Sequence, residues 1–598
     1  MCSGQGFLTK TLFWLTNAVV IVVQTEMHHV KKSLSCALLI TMLVGGLILV
    51  FAANFGVVQA SADVSGIIGS DTTWTKASSP EALIGNMLVN NGVTLTIGAG
   101  VTVNLNDYYI MVNGTLRARG SGADKIQFNG GQITFTDYSS GWNEQTDSGC
   151  IIENAEMDAT IIFSYVSLKV TNVYTNALIS VGSSSIISHS SLAAETYIGD
   201  SSTISHSSLS AVTTIGYSST LTDNTITDDI RAVNLATITN NNINGTILAG
   251  SSTIVNNTIT GTVTIRTQND TSSEIRNNTI RGGGAHWYFG LLPFPRYATY
   301  PRSAIDVAGG TVVISNNTII SYDVTSQVYD MEVAESGFDG GYGITTQADC
   351  VADIQGNVIS GGFVMGINVV GPGTIQGNVI INNSGGIAIG KNVYDYAMKV
   401  SEGDVTIRDN TLANSNVGIG GSALNGYYGQ VDYSATPKAR TVTIERNLIV
   451  GSQNGIDIIL QEATLNIRNN TITDCSVAIK LTECPSATIN FNNIQNCTQK
   501  SIILTNTSVN IDAIYNWWGT TDASAINQSI YDFKKDFYLG TVNFTPFLTE
   551  PNPEEMSTPI PEFPSWRILP LLITATLLIV ICKQKLPKKT KPTIISGD

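Results

Sequence analysis

The fold is decided by a run of short apolar pulses, ATITNNNINGTILAGSSTIVNNTITGTVTIR at residues 236–266. β-Branched residues separated by Asn, Gly, Ser and Thr are typical of short strands joined by turns, not of helices. Ile204, Leu221 and Ile238 recur at intervals of 17 residues, and Ile254 follows after 16. The chain is therefore a repeat protein, and the length of the repeat indicates its architecture.

The repeating unit reads I-x-x-N-x-I over most of the chain. Its copies are Ile254/Asn257/Ile259, Ile275/Asn278/Ile280, Ile314/Asn317/Ile319, Ile354/Asn357/Ile359, Ile375/Asn378/Ile380, Ile407/Asn410/Leu412, Ile444/Asn447/Ile449, Ile467/Asn470/Ile472 and Ile489/Asn492/Ile494. A second pulse, Gly-Ile, follows most units, for example at Gly366-Ile367. Units of this length are too short for propeller blades or helical repeats and lack the Leu scaffold of leucine-rich repeats. They fit the rungs of a β-solenoid, about 16 rungs between residues 152 and 516, stacked at roughly 4.8 Å.

Asn at a fixed corner has two physical reasons. Asn tolerates the left-handed backbone of a turn, and stacked side-chain amides hydrogen-bond along a ladder. Both are expected of the repeating Asn.

Composition excludes two classes of protein. The 598 residues carry a net charge of −15, with 13% charged and 43% hydrophobic residues. So low a charge with so many apolar residues argues against a disordered chain. An acidic balance also argues against a nucleic-acid partner, which requires a basic face.

Both ends of the chain carry membrane signals. Lys31 and Lys32 precede an apolar run at 34–51 and small residues around Ala60 and Ala62, which is the pattern of a secretory signal. A retained N-terminal anchor is the alternative. A second apolar run lies upstream of Met27, so we expect translation to start at Met27.

The C-terminal region predicts a tether. A Pro- and Glu-rich stretch at 549–565 is expected to be stiff and extended. An apolar run at 568–582, with Trp566 before it and five Lys after it, predicts one membrane helix with a cytoplasmic tail. The preceding IPEFPSW resembles the PEF-type anchor region of archaeal surface proteins, and this implies a cell-surface location.

The body of the chain also resembles a known family. Residues 90–120 are expected to cap the first coils, and IYNWWGTTDASAINQS at 514–529 and the residues after it depart from the repeat, with a helical patch predicted at 531–538. With the I-x-x-N-x-I ladder, the terminal NWWG resembles the right-handed parallel β-helix family of carbohydrate-binding proteins and sugar hydrolases, including NosD-like extracellular proteins. The resemblance implies an all-β, right-handed parallel β-helix, but the fold hosts many activities.

The predicted organisation has five parts. They are a signal or targeting segment at 1–62, a β-helix ectodomain at 63–548, a Pro-rich linker at 549–565, a transmembrane helix at 566–582 and a basic cytoplasmic tail at 583–598.

Function is expected where corners of the rod are elaborated. Four insertions lengthen the rungs: 281–302 and 321–343 before a Gly-Ile pulse, and 391–404 and 421–440 after one. Members of each pair come from neighbouring rungs and are expected to lie side by side. Their aromatic and basic residues are carbohydrate-binding candidates, since ring faces stack on sugars: Trp287, Tyr288, Phe289, Arg296, Tyr297, Tyr322, Tyr329, Tyr394, Tyr427 and Tyr428. The alternative is that these rings pack the insertions onto the rod.

Catalysis has less support. Glycosidases need two carboxylates at a fixed separation, and the Gly-His and Arg-x-Lys signatures of the family's hydrolases do not occur. The acidic residues Asp323, Asp330 and Asp339 are the catalytic candidates, and by analogy with lyases of this fold Ca²⁺ is the one ion they would hold. Their alternative is a solvated acidic loop. No cofactor is predicted.

Two further pairs share positions on successive rungs. His189 and His206 are 17 residues apart, which predicts a ladder of turn residues, with a two-His metal site, including copper by NosD analogy, as the alternative. Cys475 and Cys497 each lie five residues after a ladder Asn, which predicts Cα atoms near 5 Å apart and makes this pair a disulfide candidate.

The predicted function is non-enzymatic binding of a polysaccharide or of neighbouring surface components by a single-pass surface protein. A polysaccharide lyase or hydrolase acting at 281–343 is the second hypothesis, and a purely structural envelope rod is the third.

Overall fold

The computed structural model describes residues 62–267, 271–286, 300–321, 341–390, 403–421, 440–459 and 463–553. The chain divides into two units, Met1–Ala62 and Asp63–Asp598. All described residues belong to the second unit, apart from Ala62, at which its first strand begins. The described residues form 56 strands and one helix, Ala523–Ser529.

The strands form three parallel ladders, and each turn of the chain adds one strand to each ladder. Three strands are long enough to bend from one ladder into the next, and these are Glu81–Val89, Ile151–Asp158 and Lys169–Thr175. Ladder 1 contains Thr72–Trp74, Thr94–Ile97, Thr115–Arg119, Ile151–Asp158, Lys169–Thr175, Ile186–Ser188, Thr203–Ser205, Thr220–Thr222, Ala236–Thr239, Ser252–Val255, Ser272–Arg276, Thr311–Ser315, Val351–Gln355, Gly373–Gln376, Val405–Arg408, Arg440–Glu445, Ala463–Arg468, Ser486–Asn490, Ile511–Asp512 and Val542–Asn543. Ladder 2 contains Glu81–Val89, Thr102–Asn104, Ile126–Asn129, Ile151–Asp158, Lys169–Thr175, Ser191–Leu192, Ser208–Leu209, Thr225–Ile226, Asn242–Asn244, Thr258–Thr260, Thr279–Arg281, Thr318–Ile320, Val358–Ser360, Val379–Ile381, Thr411–Ala413, Leu448–Val450, Thr471–Thr473 and Asn493–Gln495. Ladder 3 contains Glu81–Val89, Tyr109–Val112, Gln132–Phe135, Ile161–Ser164, Ile179–Val181, Thr196–Ile198, Thr213–Ile215, Ile230–Ala232, Ile247–Ala249, Val263–Arg266, Tyr300–Ala308, Tyr342–Thr346, Met365–Val369, Gly385–Ile389, Val417–Gly421, Asn454–Ile459, Val477–Thr482, Lys500–Thr505 and Ile530–Tyr531.

Two strands lie at the margins of this arrangement. Ala62–Ile68 pairs with Glu81–Val89 near the start, and Gly284–His286 forms an antiparallel hairpin with Tyr300–Ala308. The all-β parallel solenoid is therefore confirmed, and ladder 1 has the predicted 16 strands from Ile151–Asp158 to Ile511–Asp512. The right-handed coil stays a prediction.

Stacked aliphatic residues form the core. Ile254 pairs with Ile275, which pairs with Ile314, and all three side chains are fully buried. The same register repeats in ladder 2, where Ile259 and Ile280 are partners. Because side chains alternate along a strand, one face of each pulse enters the core and the Thr and Ser between them face outward.

The repeating Asn lies at the corner between ladders 1 and 2. Asn357 Oδ1 accepts hydrogen bonds from the backbone N–H and Nδ2 of Asn317, at 2.9 and 3.0 Å. Its own Nδ2 donates to the carbonyl of Ile314 at 2.9 Å. The predicted amide ladder is confirmed, and it runs along buried asparagines from Asn224 to Asn516.

The expectation of a left-handed backbone at these asparagines is wrong. The left-handed residue is the one before each ladder Asn, such as Asn277 (φ 56°) and Asn316 (φ 56°), or a Gly such as Gly356 (φ 63°). The ladder Asn is retained instead for its buried hydrogen bonds, which satisfy backbone groups that the turn leaves unpaired.

The Gly-Ile pulse begins ladder 3, where the chain bends sharply against ladder 2. A Cβ at Gly386 would lie 2.2 Å from the carbonyl oxygen of Gly418 and 2.5 Å from Leu412 Cδ2. Likewise, a Cβ at Gly366 would lie 2.5 Å from Ile380 Cγ2. The Gly is therefore required by close packing between neighbouring rungs.

The C-terminal end differs from the prediction in one respect. The helix is Ala523–Ser529, where Asp522 accepts a hydrogen bond from the N–H of Ser524 and Ile526 is buried. The helix predicted at 531–538 is wrong, because a strand ends at Tyr531 and turns held by Asp532 follow it. Across the described ranges, no helix has the length and apolarity needed to span a membrane. The predicted signal segment and transmembrane helix lie outside those ranges.

Candidate functional site

The four insertions bracket a single face of the rod. The described ends of the first two flank the passage from ladder 2 to ladder 3, because Arg281 pairs with Ile320 before them and Ser303 with Tyr342 after them. Segments 391–402 and 422–439 follow successive strands of ladder 3 and precede ladder 1. Each pair therefore emerges from one corner, as predicted, and the two corners are the two edges of ladder 3.

The predicted site residues themselves lie outside the described residues. This holds for the carbohydrate-binding candidates Trp287, Tyr288, Phe289, Arg296, Tyr297, Tyr322, Tyr329, Tyr394, Tyr427 and Tyr428, and for the catalytic candidates Asp323, Asp330 and Asp339. All of them stay predictions.

We call the outward side of ladder 3 from Tyr300 to Gly421 the bracketed face. Its middle strands, Tyr342–Thr346, Met365–Val369 and Gly385–Ile389, are buried on both sides along their whole length. Outward-facing residues of other ladder 3 strands are partly exposed, as in Val263–Arg266. The bracketed face thus differs from an ordinary solvated side of the rod.

Apolar and small residues line the middle of this face. Tyr342, Met365 and Ala388 belong to a buried cluster that is separate from the core, and burial raises the pKa of the Tyr342 hydroxyl. A Cβ at Gly385 would lie 1.9 Å from Met365 Sδ, so the thioether occupies the space over that Gly. Beside the cluster, Ser303 Oγ donates to Thr345 Oγ1 at 2.7 Å.

An ion pair marks the N-terminal end of the face. Arg266 Nη2 donates to Asp306 Oδ2 at 2.6 Å, and Gln347 Nε2 donates to Asp306 Oδ1 at 3.1 Å. The Arg266 side chain is 49% exposed and that of Asp306 is 22% exposed. Both charges remain accessible to a polar ligand.

A second ion pair lies beyond the C-terminal end. Asp457 Oδ2 accepts from Lys480 Nζ at 3.2 Å and from Asn454 Nδ2 at 2.8 Å. Asp306 and Asp457 occupy the same column of ladder 3, five rungs apart. At roughly 4.8 Å per rung they are about 24 Å apart, much more than the 5–10 Å between the carboxylates of glycosidases.

The two histidines stack as predicted. The rings of His189 and His206 are parallel within 6°, with centroids 5.0 Å apart, and both residues have left-handed backbones before the ladder residues Ser190 and Ser207. No cluster of three His, Cys, Asp or Glu side chains suited to a metal ion occurs in the described segments. The two-His metal site remains an untested alternative.

Cys475 and Cys497 occupy equivalent positions. Thr473 and Gln495 are register partners, and each thiol donates to the carbonyl of the residue two before it. Both thiols are free in the structure, so the disulfide stays a prediction. Burial raises the pKa of Cys497 to about 12.

A polar groove lies on a different corner, between ladders 1 and 2. It has a volume of about 410 Å³ and is lined by Ser315, Asn316, Gln355, Gly356, Gln376, Gly377 and Asp409. Gly356 and Gly377 occupy the left-handed corner position, where the neighbouring rungs have Asn316 and Asp409. Around it, Arg408 donates to Gln376 Oε1 and Gln376 donates to Gln355 Oε1.

Sequence reasoning missed both the bracketed face and the groove. The first residue after each Gly-Ile pulse faces outward, as Thr345 and Asn368 do, so the pulse could have located the face. Gly356 and Gly377, each directly before a ladder Asn, could likewise have indicated the groove. Burial on the outer side of ladder 3 depends on three-dimensional packing, which the sequence pattern does not report.

Comparisons with known proteins leave the family open. No protein-family model matches the chain, and no curated protein matches it. Among solved structures, a double-mutant tailspike protein of E. coli bacteriophage HK620 in complex with pentasaccharide is 11% identical, covers 75% of this chain and 73% of its own, and has a TM-score of 0.15. A single-mutant form of that tailspike, also in complex with pentasaccharide, is 12% identical over 74% of this chain and 73% of its own, with a TM-score of 0.15. Scores this low carry no argument, and the assignment of a parallel β-solenoid rests on the three ladders.

Proposed function

We propose that this chain is a membrane-anchored cell-surface β-helix that binds glycans through the insertions around the bracketed face, without turning them over. One observation carries the proposal: all four insertions emerge at the two edges of one face of ladder 3. Long corners also occur at 136–150 and 513–529, but these four long segments are grouped around one surface. Elaborated corners on a rigid scaffold are where binding residues concentrate.

The composition of the insertions supports a sugar ligand. Residues 281–302 and 321–343 carry aromatic rings beside carboxylates, for example Trp287 and Tyr329 with Asp330. Ring faces stack on the apolar faces of sugars, and carboxylates accept hydrogen bonds from sugar hydroxyls. Since Thr345, Asn368 and Ala388 are buried, ligand contacts fall to the insertions and to exposed pairs such as Arg266 and Asp306.

The spacing of the two carboxylates at the ends of the bracketed face supports binding over turnover. Asp306 and Asp457 are too far apart to act as the acid and base of a hydrolase. The second hypothesis, a lyase or hydrolase at 281–343, requires chemistry from Asp323, Asp330 or Asp339. A structural envelope rod requires neither binding nor turnover.

The surface location is part of the proposal. The apolar run at 568–582 and the lysines after it support a single span with the rod outside the cell. The Pro-rich linker at 549–565 would hold the rod away from the bilayer.

A polysaccharide array probed with the detergent-solubilised full chain tests the proposal, with and without Ca²⁺. Retention without released reducing or unsaturated ends is the expected result. The double variant Trp287→Ala/Tyr329→Ala should lose retention with its circular dichroism unchanged. Tyr138→Ala/Tyr165→Ala, which removes rings that are 71% and 68% exposed near the start of the rod, is the matched control and should retain the glycan.

Two other outcomes overturn the proposal. Product release that one of the changes Asp323→Asn, Asp330→Asn or Asp339→Asn abolishes would establish the enzyme. If the array shows no retention and no product, the structural envelope rod is the hypothesis that remains.

A further inference from the structure

An aromatic loop lies at the C-terminal end of the rod. Residues 532–540, which we call the end loop, join the last strand of ladder 3, Ile530–Tyr531, to the last strand of ladder 1, Val542–Asn543. Two of its rings face solvent almost completely: Phe537 is 79% exposed and Tyr538 is 89% exposed. No other residue among the exposed large hydrophobics of the described ranges reaches these values.

The end loop is an ordered structure. Asp532 is buried, and its carboxylate accepts from the backbone N–H of Lys534 at 3.1 Å and of Val542 at 3.0 Å. Asp536 Oδ1 accepts from the N–H of Tyr538 at 3.0 Å, and Leu539 packs into the core. The backbone therefore holds the two rings outward. Their apolar surface contributes no burial free energy to folding, so folding alone does not explain their position.

The chemistry around the rings suits a lipid headgroup region. Phe533 meets Phe537 edge to face, with centroids 5.3 Å apart. Exposed Lys534 and Lys535 follow Phe533 in the loop, and Lys534 Nζ donates to Asn527 Oδ1 and lies over the Phe544 ring. Aromatic rings with neighbouring Lys are the residues that favour the boundary between headgroups and acyl chains.

The exit of the chain places a membrane within reach of this end. Asn552 hydrogen-bonds to Asn493 and to the carbonyl of Phe491, so the described chain leaves the rod at its last rungs. The composition of the Pro-rich linker predicts an extended chain, which would span roughly 40 Å from there to Trp566 at ~3.1 Å per residue. The apolar run at 568–582 follows directly.

We infer that the end loop docks on the bilayer surface, with Phe537 and Tyr538 inserted among the lipid headgroups. This contact would fix the rod against the membrane at a second point beside the tether. The inference rests on the membrane anchor of the proposed function.

Hydroxyl-radical footprinting of the full chain in nanodiscs of phosphatidylcholine and phosphatidylglycerol tests the inference. Oxidation of Phe537 and Tyr538, read by mass spectrometry, should be lost in the nanodisc and return when proteolysis of the linker releases the rod. Tyr138 and Tyr165 are the internal controls, and their oxidation should be the same in both states. The variant Phe537→Ala/Tyr538→Ala should leave Phe533 oxidised in the nanodisc, whereas Tyr138→Ala/Tyr165→Ala should not.

The other outcomes separate docking from anchoring. Equal oxidation in nanodisc and released rod, with the chain inserted, would overturn docking and leave the anchor. Failure of the chain to co-elute with nanodiscs would overturn both. Protection that persists in the released rod and rises with its concentration would replace the lipid by a second copy of the chain.

Discussion

Asn317 donates two hydrogen bonds to one atom of Asn357, from its backbone N–H and from Nδ2. Asn357 repeats the arrangement with Asn378 at 2.9 Å. The amide of one rung thus satisfies the backbone of the preceding rung, so loss of a single amide affects two rungs.

Replacing a ladder Asn should therefore cost more than replacing a surface Asn. Asn357→Ala leaves the buried N–H of Asn317 without its acceptor and removes one of the two acceptors of its Nδ2, and we expect a loss of about 2–4 kcal/mol in the free energy of unfolding. Urea denaturation followed by circular dichroism measures it. Asn242→Ala, at an exposed position of ladder 2, is the control and should change stability by less than about 0.5 kcal/mol. Equal effects of the two substitutions would contradict a structural role for the amide ladder.

The Gly of the Gly-Ile pulse should tolerate no side chain. Gly386→Ala places a Cβ 2.2 Å from the carbonyl oxygen of Gly418, and overpacking of this kind costs about 1–3 kcal/mol. Gly122→Ala is the matched control, since nothing lies within 4 Å of its Cβ. Thermal unfolding compares the two. A Gly386→Ala protein as stable as Gly122→Ala would show that the neighbouring rungs move apart freely.

Buried thiols predict a loss of stability in alkali. Burial raises the pKa of Cys350 from 9.0 to about 12, so between these values the unfolded chain ionises this thiol while the folded chain keeps it protonated. The contribution of this thiol to the free energy of unfolding is fully present below pH 9 and is lost as the pH rises toward 12. Cys350→Ala should consequently flatten the decline of the unfolding free energy over that range. An unchanged slope in the variant would show that other groups cause the alkaline loss.

Cys475 and Cys497 should form a disulfide under oxidising conditions. Their equivalent positions on adjacent rungs place the Cα atoms roughly 5 Å apart, within the range that a disulfide spans. Non-reducing peptide mapping should find the cross-linked pair, and Cys497→Ser should leave Cys475 free to alkylation after denaturation. Recovery of both thiols unlinked from oxidised protein would refute the pairing.

The fold could be predicted because its information is local and repeated. Ile254 and Asn257 recur in one pattern, and a solenoid needs only that each rung match its neighbours. The helix was misplaced because a helix of seven residues has little periodicity; Asp522 as its cap and the burial of Ile526 decide its position.

The candidate site could be predicted only in part. Insertion spacing showed which corners are elaborated, but not that both corners border ladder 3. Tyr342 is buried on the outer side of the rod beside Met365, its partner on the next rung. The repeat spacing indicates which residues face outward there, but not that they are buried.

The amide ladder stacks neighbouring rungs in the same way whatever number of residues a rung contains. Asn241 and Asn257 are 16 residues apart and Asn317 and Asn357 are 40 apart, yet the N–H···Oδ1 distance is 2.9 Å in both pairs. Lengthening a closed loop over this range costs only about 1 kcal/mol in chain entropy. A corner can therefore change in length without altering the spine, and sequence divergence between relatives should concentrate between ladders instead of within them.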